Sequence, residues 1–136
     1  MNKEKDIMDL KQYFEDNKGF GVLSTADGQG NVDSAVYSRP HVMEDGTMAF
    51  IMNDRLSHHY LQSNPKAAYL FREEGAGYRG KRFFLTKVSE EQDTERLAAL
   101  KRRVYTSEKQ PSGPKFLVFF KIDKELPLIG PGEEEV

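Results

Sequence analysis

The chain has 136 residues, of which 38% are hydrophobic, and its 20 basic and 22 acidic residues give a formal net charge of −2. This length corresponds to one domain, and the balanced charge argues against nucleic acid or an anionic membrane as a partner. The absence of cysteine excludes disulfides, thiolate metal sites and cysteine nucleophiles.

Four of the first six residues are charged, and no apolar run follows them. No signal peptide is therefore predicted. No apolar segment approaches the roughly 20 residues that a membrane-spanning helix needs. We expect a cytoplasmic protein with a single domain over residues 1–136, a core at about 19–122 and a short acidic C-terminal tail.

The N-terminal half predicts one helix and three strands. Ile7, Leu10 and Phe14 recur at helical spacing, which indicates an amphipathic helix over residues 3–17. Short apolar runs bounded by Gly, Asp and Asn turns indicate strands after it. These strands are predicted at residues 20–26, 32–39 and 47–52.

The second half predicts two helices and three strands. A short helix begins after Asn53 or Asp54, either of which can cap it, and Asn64-Pro65 ends it. The remaining elements are strands at 67–71, 82–88 and 116–122, a helix at 93–106 and a loop at 107–114.

The order of these elements determines the predicted fold class. Strands joined as hairpins form a mainly antiparallel sheet. Six short strands with a few flanking helices indicate a mainly β protein, a closed or partly closed barrel. A doubly wound fold would need strands that alternate regularly with crossover helices, and this order lacks them.

Residues 75–80 match the glycine pattern of a dinucleotide-binding loop. That pattern needs a helix after it to hold the pyrophosphate, and a strand follows here instead. We therefore interpret the segment as a flexible hairpin loop. Tyr78, Arg79, Lys81 and Arg82 could still shape the edge of a pocket.

The start of the short helix, residues 53–59, has two interpretations. A helix N-terminus presents unpaired N–H groups and a partial positive charge, which suit an anion. Arg55, Ser57, His58 and His59 could add charge and hydrogen bonds, which would make a phosphate cradle. The alternative is an ordinary capped helix, which is the commoner case.

Metal and hydrolase chemistry are poorly supported. His58 and His59 are adjacent, and adjacent helical side chains point about 100° apart, so they do not chelate one ion easily. His41 is the only other histidine, so no metal site is predicted. No Gly-x-Ser-x-Gly motif indicates a serine nucleophile.

The central segments resemble the pyridoxamine 5′-phosphate oxidase-like family of flavin-binding split barrels. The resemblance rests on the strand at 34–40, the apolar strand at 48–53, the Leu-x-x-Asn-Pro helix end at 61–65 and the strand at 67–71. The family's order of elements covers residues 19–122. The combination of order, lengths and helix end carries the resemblance, since no single motif is specific.

The resemblance implies a homodimer that holds flavin mononucleotide (FMN) at the subunit interface. It also implies a flavin-dependent oxidoreductase in which the flavin carries the chemistry and the substrate is unspecified. The cofactor contacts that it implies are Val36, Tyr37, Ser38, Arg39, Phe50, Ile51, Met52, Asn53, Arg55, Leu56, Ser57, His58 and one of Lys81 or Arg82.

The chain departs from the family where the phosphate would bind. Family members commonly place an Arg-Lys pair at the start of the short helix, and Leu56 and Ser57 stand there in this chain. Loss of two cations would weaken phosphate binding, although Arg39, Arg55 or a histidine could compensate. The C-terminal segment also lacks the arginine with which the oxidase proper holds its substrate, so vitamin B6 oxidation is not expected.

Two alternatives to the oxidoreductase remain open. The chain could be a non-enzymatic protein on the same fold that stores flavin, senses redox state or binds haem. His41, His58 or His59 would then supply an axial haem ligand. The other alternative is an oxidoreductase that uses a deazaflavin in place of FMN.

Overall fold

The computed structural model describes residues 3–101 and 113–131. The elements of these residues are α1 (Lys3–Asp16), β1 (Gly19–Ala26), β2 (Val32–Val36), β3 (His41–Val42), β4 (Met48–Asn53), α2 (Leu56–Ser63), β5 (Lys66–Glu73), β6 (Gly80–Gln92), α3 (Glu95–Leu100) and β7 (Lys115–Pro127).

The strands form one antiparallel sheet of seven strands in the order β2-β1-β5-β6-β7-β4-β3. No ladder joins β2 to β3, so the sheet is rolled but not closed. Its two ends meet through side chains, because the rings of Tyr37, just after β2, and Phe50 in β4 lie edge to face at 5.8 Å. The predicted mainly β, split-barrel fold is confirmed.

The interior of the rolled sheet is filled by alternate residues of each strand, as the two-residue period of a strand requires. Phe14 of α1 and Leu61 of α2 pack onto this core. The interior residues of the strands are Leu23, Val42, Met48, Phe50, Met52, Tyr69, Phe71, Phe83, Leu85, Phe116, Val118 and Phe120.

A second apolar cluster lies on the outer side of β4 and β7, where Ala49, Leu117 and Phe119 pack against Leu97 of α3. The strand β4 is therefore buried on both faces, as its unbroken apolar run indicates. Thr94 caps α3 by accepting a hydrogen bond from the Leu97 N–H at 3.3 Å. The rest of the predicted helix at 93–106, most of the loop at 107–114 and the acidic tail lie outside the described residues.

Three local details differ from the sequence-based expectation. The sheet has seven strands among the described residues, one more than predicted, because the two-residue strand β3 is too short to show a period. Pro40 lies in the turn between β2 and β3, and β2 ends at Val36. The N-cap of α2 is Arg55, in extended conformation, and neither Asn53 nor Asp54 caps it.

No helix within residues 3–101 and 113–131 has both the length and the apolar character that a bilayer crossing requires.

Candidate functional site

The first turn of α2 carries hydrogen-bond donors that the protein leaves unpaired. The first bond of this turn runs from the His59 N–H to the Arg55 carbonyl at 2.9 Å. Among the described residues, the backbone N–H groups of Leu56, Ser57 and His58 have no acceptor, and Arg55 provides no side-chain cap. These three donors lie at the positive end of the helix dipole, which favours an anionic group.

The strand β2 faces this turn with polar side chains. Ser57 is 4% exposed, and its hydroxyl lies 3.4 Å from the Asp33 carboxylate. Tyr37 also faces Ser57 and Asp33. Burial is the largest cause of a raised pKa for the Tyr37 phenol, and the negative charge of Asp33 raises this pKa further. The hydrogen bond with Ser57 lowers the pKa, but by less. Ser57, Tyr37 and Asp33 therefore form one polar group beside the start of α2.

His58 holds the opposite side of α2 against the sheet. The side chain is 7% exposed and its ring stacks on Phe116 at 3.8 Å between centroids. Its Nδ1 lies 3.1 Å from the Asp54 carboxylate, and its Nε2 lies 3.1 Å from both carboxylate oxygens of Glu90. Both ring nitrogens are engaged within the chain, and the contact of His58 with a cofactor stays a prediction.

Glu90 connects His58 to a wider network. The Lys87 ammonium lies 2.7 Å from the Glu90 carboxylate, and the Gln62 amide lies 3.3 Å from it. Burial alone would raise the pKa of Glu90, but the hydrogen bonds from Lys87, His58 and Gln62 together lower it. This ionised network anchors α2 to β6, and so positions the first turn of the helix.

Two predicted cationic contacts lie elsewhere. The guanidinium of Arg39 donates to the carbonyls of Phe14 at 2.5 Å and Asn17 at 3.2 Å, so Arg39 caps the C-terminus of α1. The guanidinium of Arg82 donates to the Pro127 carbonyl at 2.9 Å and to the Gly130 carbonyl, near the start of β6. Glu90 and α2 lie toward the other end of that strand.

The predicted contacts on β4 divide between two faces of the sheet. Phe50 and Met52 are buried in the interior, and Ile51 packs on the outer cluster against α3. At the end of β4, the Oδ1 of Asn53 is buried and has no hydrogen-bond partner among the described residues, which leaves one acceptor unsatisfied next to α2.

The remaining predicted contacts are exposed. Val36 and Leu56 are 67% and 47% exposed, and both are apolar. Ser38 and Arg55 are also exposed. The structure therefore brings Tyr37 and Ser57 together, and it places Arg39, Arg82 and the β4 side chains elsewhere.

Sequence reasoning missed Asp33 as part of this group. The two-residue alternation of a strand indicates its place, because residues 33 and 37 lie on the same face of an extended chain.

An apolar surface covers the outer side of β2, β1, β5 and β6, and we call it the outer face. In the strand register, Val22 of β1 lies opposite Val36 of β2 on one side and Leu70 of β5 on the other. Next to them, Ala68 of β5 lies opposite Phe84 of β6. Val36, Leu70 and Phe84 are exposed. Exposed apolar residues that are contiguous across several strands commonly mark an interaction surface.

Comparison by sequence finds no relative, since neither a protein-family model nor a curated protein matches the chain. Comparison by structure does find similar folds. An FMN-binding protein from Syntrophomonas wolfei superposes with a TM-score of 0.73 at 21% identity, over 93% of this chain and 89% of that one. A protein named as an F420 reductase gives 0.67 at 12% identity, over 85% and 94%.

A third structure decides the fold. A Lactobacillus delbrueckii protein that bears the name of a pyridoxamine 5′-phosphate oxidase superposes with a TM-score of 0.63 at 13% identity, over 86% of this chain and 90% of that one. This chain has the pyridoxamine 5′-phosphate oxidase-like fold. The resemblance noted in the sequence is thus confirmed for the fold, and split-barrel proteins of this kind include FMN-binding members.

On this split-barrel fold, the site at α2 offers donors for an anion and apolar surface beside them. Within residues 3–101 and 113–131, no cluster of three or more His, Asp or Glu side chains could hold a metal ion.

Proposed function

We propose that this chain binds a flavin, FMN, between two identical subunits and acts as a flavin-dependent oxidoreductase. The observation that supports this most strongly is the first turn of α2, with three unpaired N–H groups beside the Ser57 hydroxyl. The turn occurs in a fold shared with an FMN-binding protein and an F420 reductase.

Each part of the site has a proposed role. The N–H groups of Leu56, Ser57 and His58 would hold the ribityl phosphate end, and Ser57 would add a hydroxyl. The exposed apolar side chain of Val36, on the edge strand β2, would contact the ring system. A bound flavin supplies hydride or electron transfer, and the protein contributes orientation and exclusion of water.

A second copy of the chain is part of the proposal. The outer face exposes Val36, Leu70 and Phe84, and a two-fold symmetric pair would bury it against itself. Within one chain Arg82 lies far from α2 along β6, so any contact from Arg82 to the cofactor would come from the second subunit.

A deazaflavin is the second candidate cofactor, because one protein with this fold is named as an F420 reductase. Its ring system would occupy the same apolar surface. Binding of deazaflavin in preference to FMN would favour this candidate.

Titration of FMN fluorescence with the protein tests the proposal. Position 56 is the most informative position to substitute in this test, because Leu56 is exposed in the first turn of α2 and lies outside the buried core. We expect Leu56→Arg to tighten FMN binding about tenfold and Leu56→Glu to weaken it about tenfold through interaction with the phosphate. Riboflavin, which has no phosphate, serves as the control ligand and should respond to neither change.

The proposal is wrong if the wild-type protein and the Leu56→Arg variant, both folded by circular dichroism, quench neither FMN nor riboflavin. Equal responses of FMN and riboflavin to both variants would contradict the placement of the phosphate at α2.

A further inference from the structure

The carboxylate of Asp33 lies at the end of α2 where the phosphate of a flavin would bind. We propose that Asp33 is a specificity-determining residue that opposes a ligand phosphate there, so that the site binds flavins with little preference for the phosphorylated form. This inference rests on the proposed flavin site and specifies which ligands that site prefers.

The position of Asp33 follows from the geometry of β2. Alternate residues of this strand face the barrel side, and Asp33 is half-buried on that face. Its Oδ2 lies 3.4 Å from the hydroxyl of Ser57, which is itself buried. The negative charge also acts on the Tyr37 phenol. A carboxylate is therefore held beside the donors that would otherwise be available to an incoming anion.

The charge of Asp33 is not balanced by a nearby cation. None of the ion pairs among residues 3–101 and 113–131 includes Asp33. Arg39 caps α1, and the ring of His58 is engaged by Asp54 and Glu90. Arg55 and His59 are the remaining basic side chains of the α2 entry, and both are exposed.

Coulomb's law gives the consequence for a ligand. A phosphate bound at the first turn of α2 would come within a few ångströms of the Asp33 carboxylate, and like charges repel strongly in a partly buried site. The favourable end of the helix dipole is already partly offset by the same carboxylate. The phosphate then contributes little to affinity, and the ring system supplies most of it.

The test compares FMN with riboflavin on matched variants. Asp33→Asn removes the charge and keeps the shape, and Glu44→Gln removes an equal charge from an exposed turn outside the site. We expect the wild type and Glu44→Gln to bind the two flavins within about threefold of each other. Asp33→Asn should tighten FMN binding at least about fivefold and leave riboflavin unchanged.

Two results would overturn the inference. One is a wild-type protein that binds FMN more than about tenfold tighter than riboflavin. The other is an Asp33→Asn variant whose ratio of FMN to riboflavin affinity equals that of the wild type. Asp33→Ser, which shortens the side chain, provides the same comparison if Asp33→Asn does not fold.

Thermal unfolding in inorganic phosphate separates this inference from the proposed function. If no variant binds either flavin, the proposed function fails. In that case a melting temperature that rises with phosphate in Asp33→Asn, but not in the wild type, would still support the role of Asp33. Absence of any phosphate effect on both proteins would reject it.

Discussion

His58 shows how single residues position the site. A buried imidazole needs partners for its nitrogens, and this one lies between the carboxylates of Asp54 and Glu90 and stacks on Phe116. The contacts join α2 to the sheet from the side opposite Ser57. The first turn of α2 is therefore held in place by interactions that do not themselves touch a ligand.

Glu90→Gln tests this anchor. At neutral pH the variant should unfold with a free energy about 1–3 kcal/mol lower than that of the wild type, because it loses charge-assisted hydrogen bonds from His58 and Lys87. Urea unfolding measures this difference. Glu74→Gln, at an exposed position, is the matched control and should change little.

The pH dependence of the same difference has a definite sign. The pKa of Glu90 is lower in the folded chain than in the unfolded one. Ionised Glu90 therefore stabilises the fold above its unfolded pKa of about 4.3, and this contribution is lost as the pH falls through the folded pKa. The stability gap between wild type and Glu90→Gln should shrink in acid. A gap that stays constant below about pH 4 would contradict the assignment.

Residue-level prediction from the sequence is strongest where local chemistry decides which groups lie together. The location of Ser57 at a donor-rich helix start follows from the positions of the strand and helix alone. Arg39 and Arg82 were placed at the cofactor, but both donate to backbone carbonyls. Those carbonyls belong to α1 and to the turn after β7, whose proximity depends on tertiary packing, which the sequence pattern does not show.

At the scale of elements, the pairing of β1 with β5 depends on a close approach at Gly21. A Cβ at this position would lie 1.9 Å from the Tyr69 hydroxyl oxygen and 2.7 Å from the Tyr37 carbonyl oxygen. The same Tyr69 hydroxyl donates to the carbonyls of Tyr37 at 3.2 Å and Ser38 at 3.1 Å. Gly21 thus allows β5 to hold the segment that follows β2 next to the site.

Gly21→Ala should therefore destabilise the protein by at least about 2 kcal/mol, because the tyrosine or the backbone must move. Gly28→Ala is the control, since its Cβ would meet neighbours only at ordinary contact distances of 3.5 Å and beyond. Thermal unfolding of the two variants provides the comparison. Equal melting temperatures would show that β1 and β5 adapt to the extra methyl group.

Element boundaries were predicted less well than element types. The strands β6 and β7 each run for 13 residues, well beyond the apolar cores at 82–88 and 116–122. The residues beyond those cores are exposed or only partly buried, so the hydrophobic period gives no signal there. Two register shifts between β6 and β7, at Phe84/Leu85 and Lys87/Ser89, also break the alternation.

At the scale of the whole molecule, the outer face is the feature that one chain leaves open. It spans four strands and exposes Val36, Leu70 and Phe84. Burial of apolar surface contributes about 25 cal/mol per Å², so a second copy of the chain could gain substantial binding free energy there.

Leu70→Glu should convert the proposed dimer into a monomer with an unchanged circular dichroism spectrum, because the change places a charge at the centre of the outer face. Met8→Glu introduces the same charge at an exposed apolar residue of α1 and should leave the dimer intact. Sedimentation equilibrium at micromolar concentration measures both. A monomeric wild type, or a dimeric Leu70→Glu variant, would contradict the interface.

The most direct test of the account is gel filtration of the protein after incubation with FMN, with absorbance and light scattering recorded across the peak. The account predicts that flavin absorbance travels with a species of twice the 15.6 kDa chain mass, at about one flavin per chain. Flavin that elutes only in the small-molecule volume, away from the protein, would contradict it.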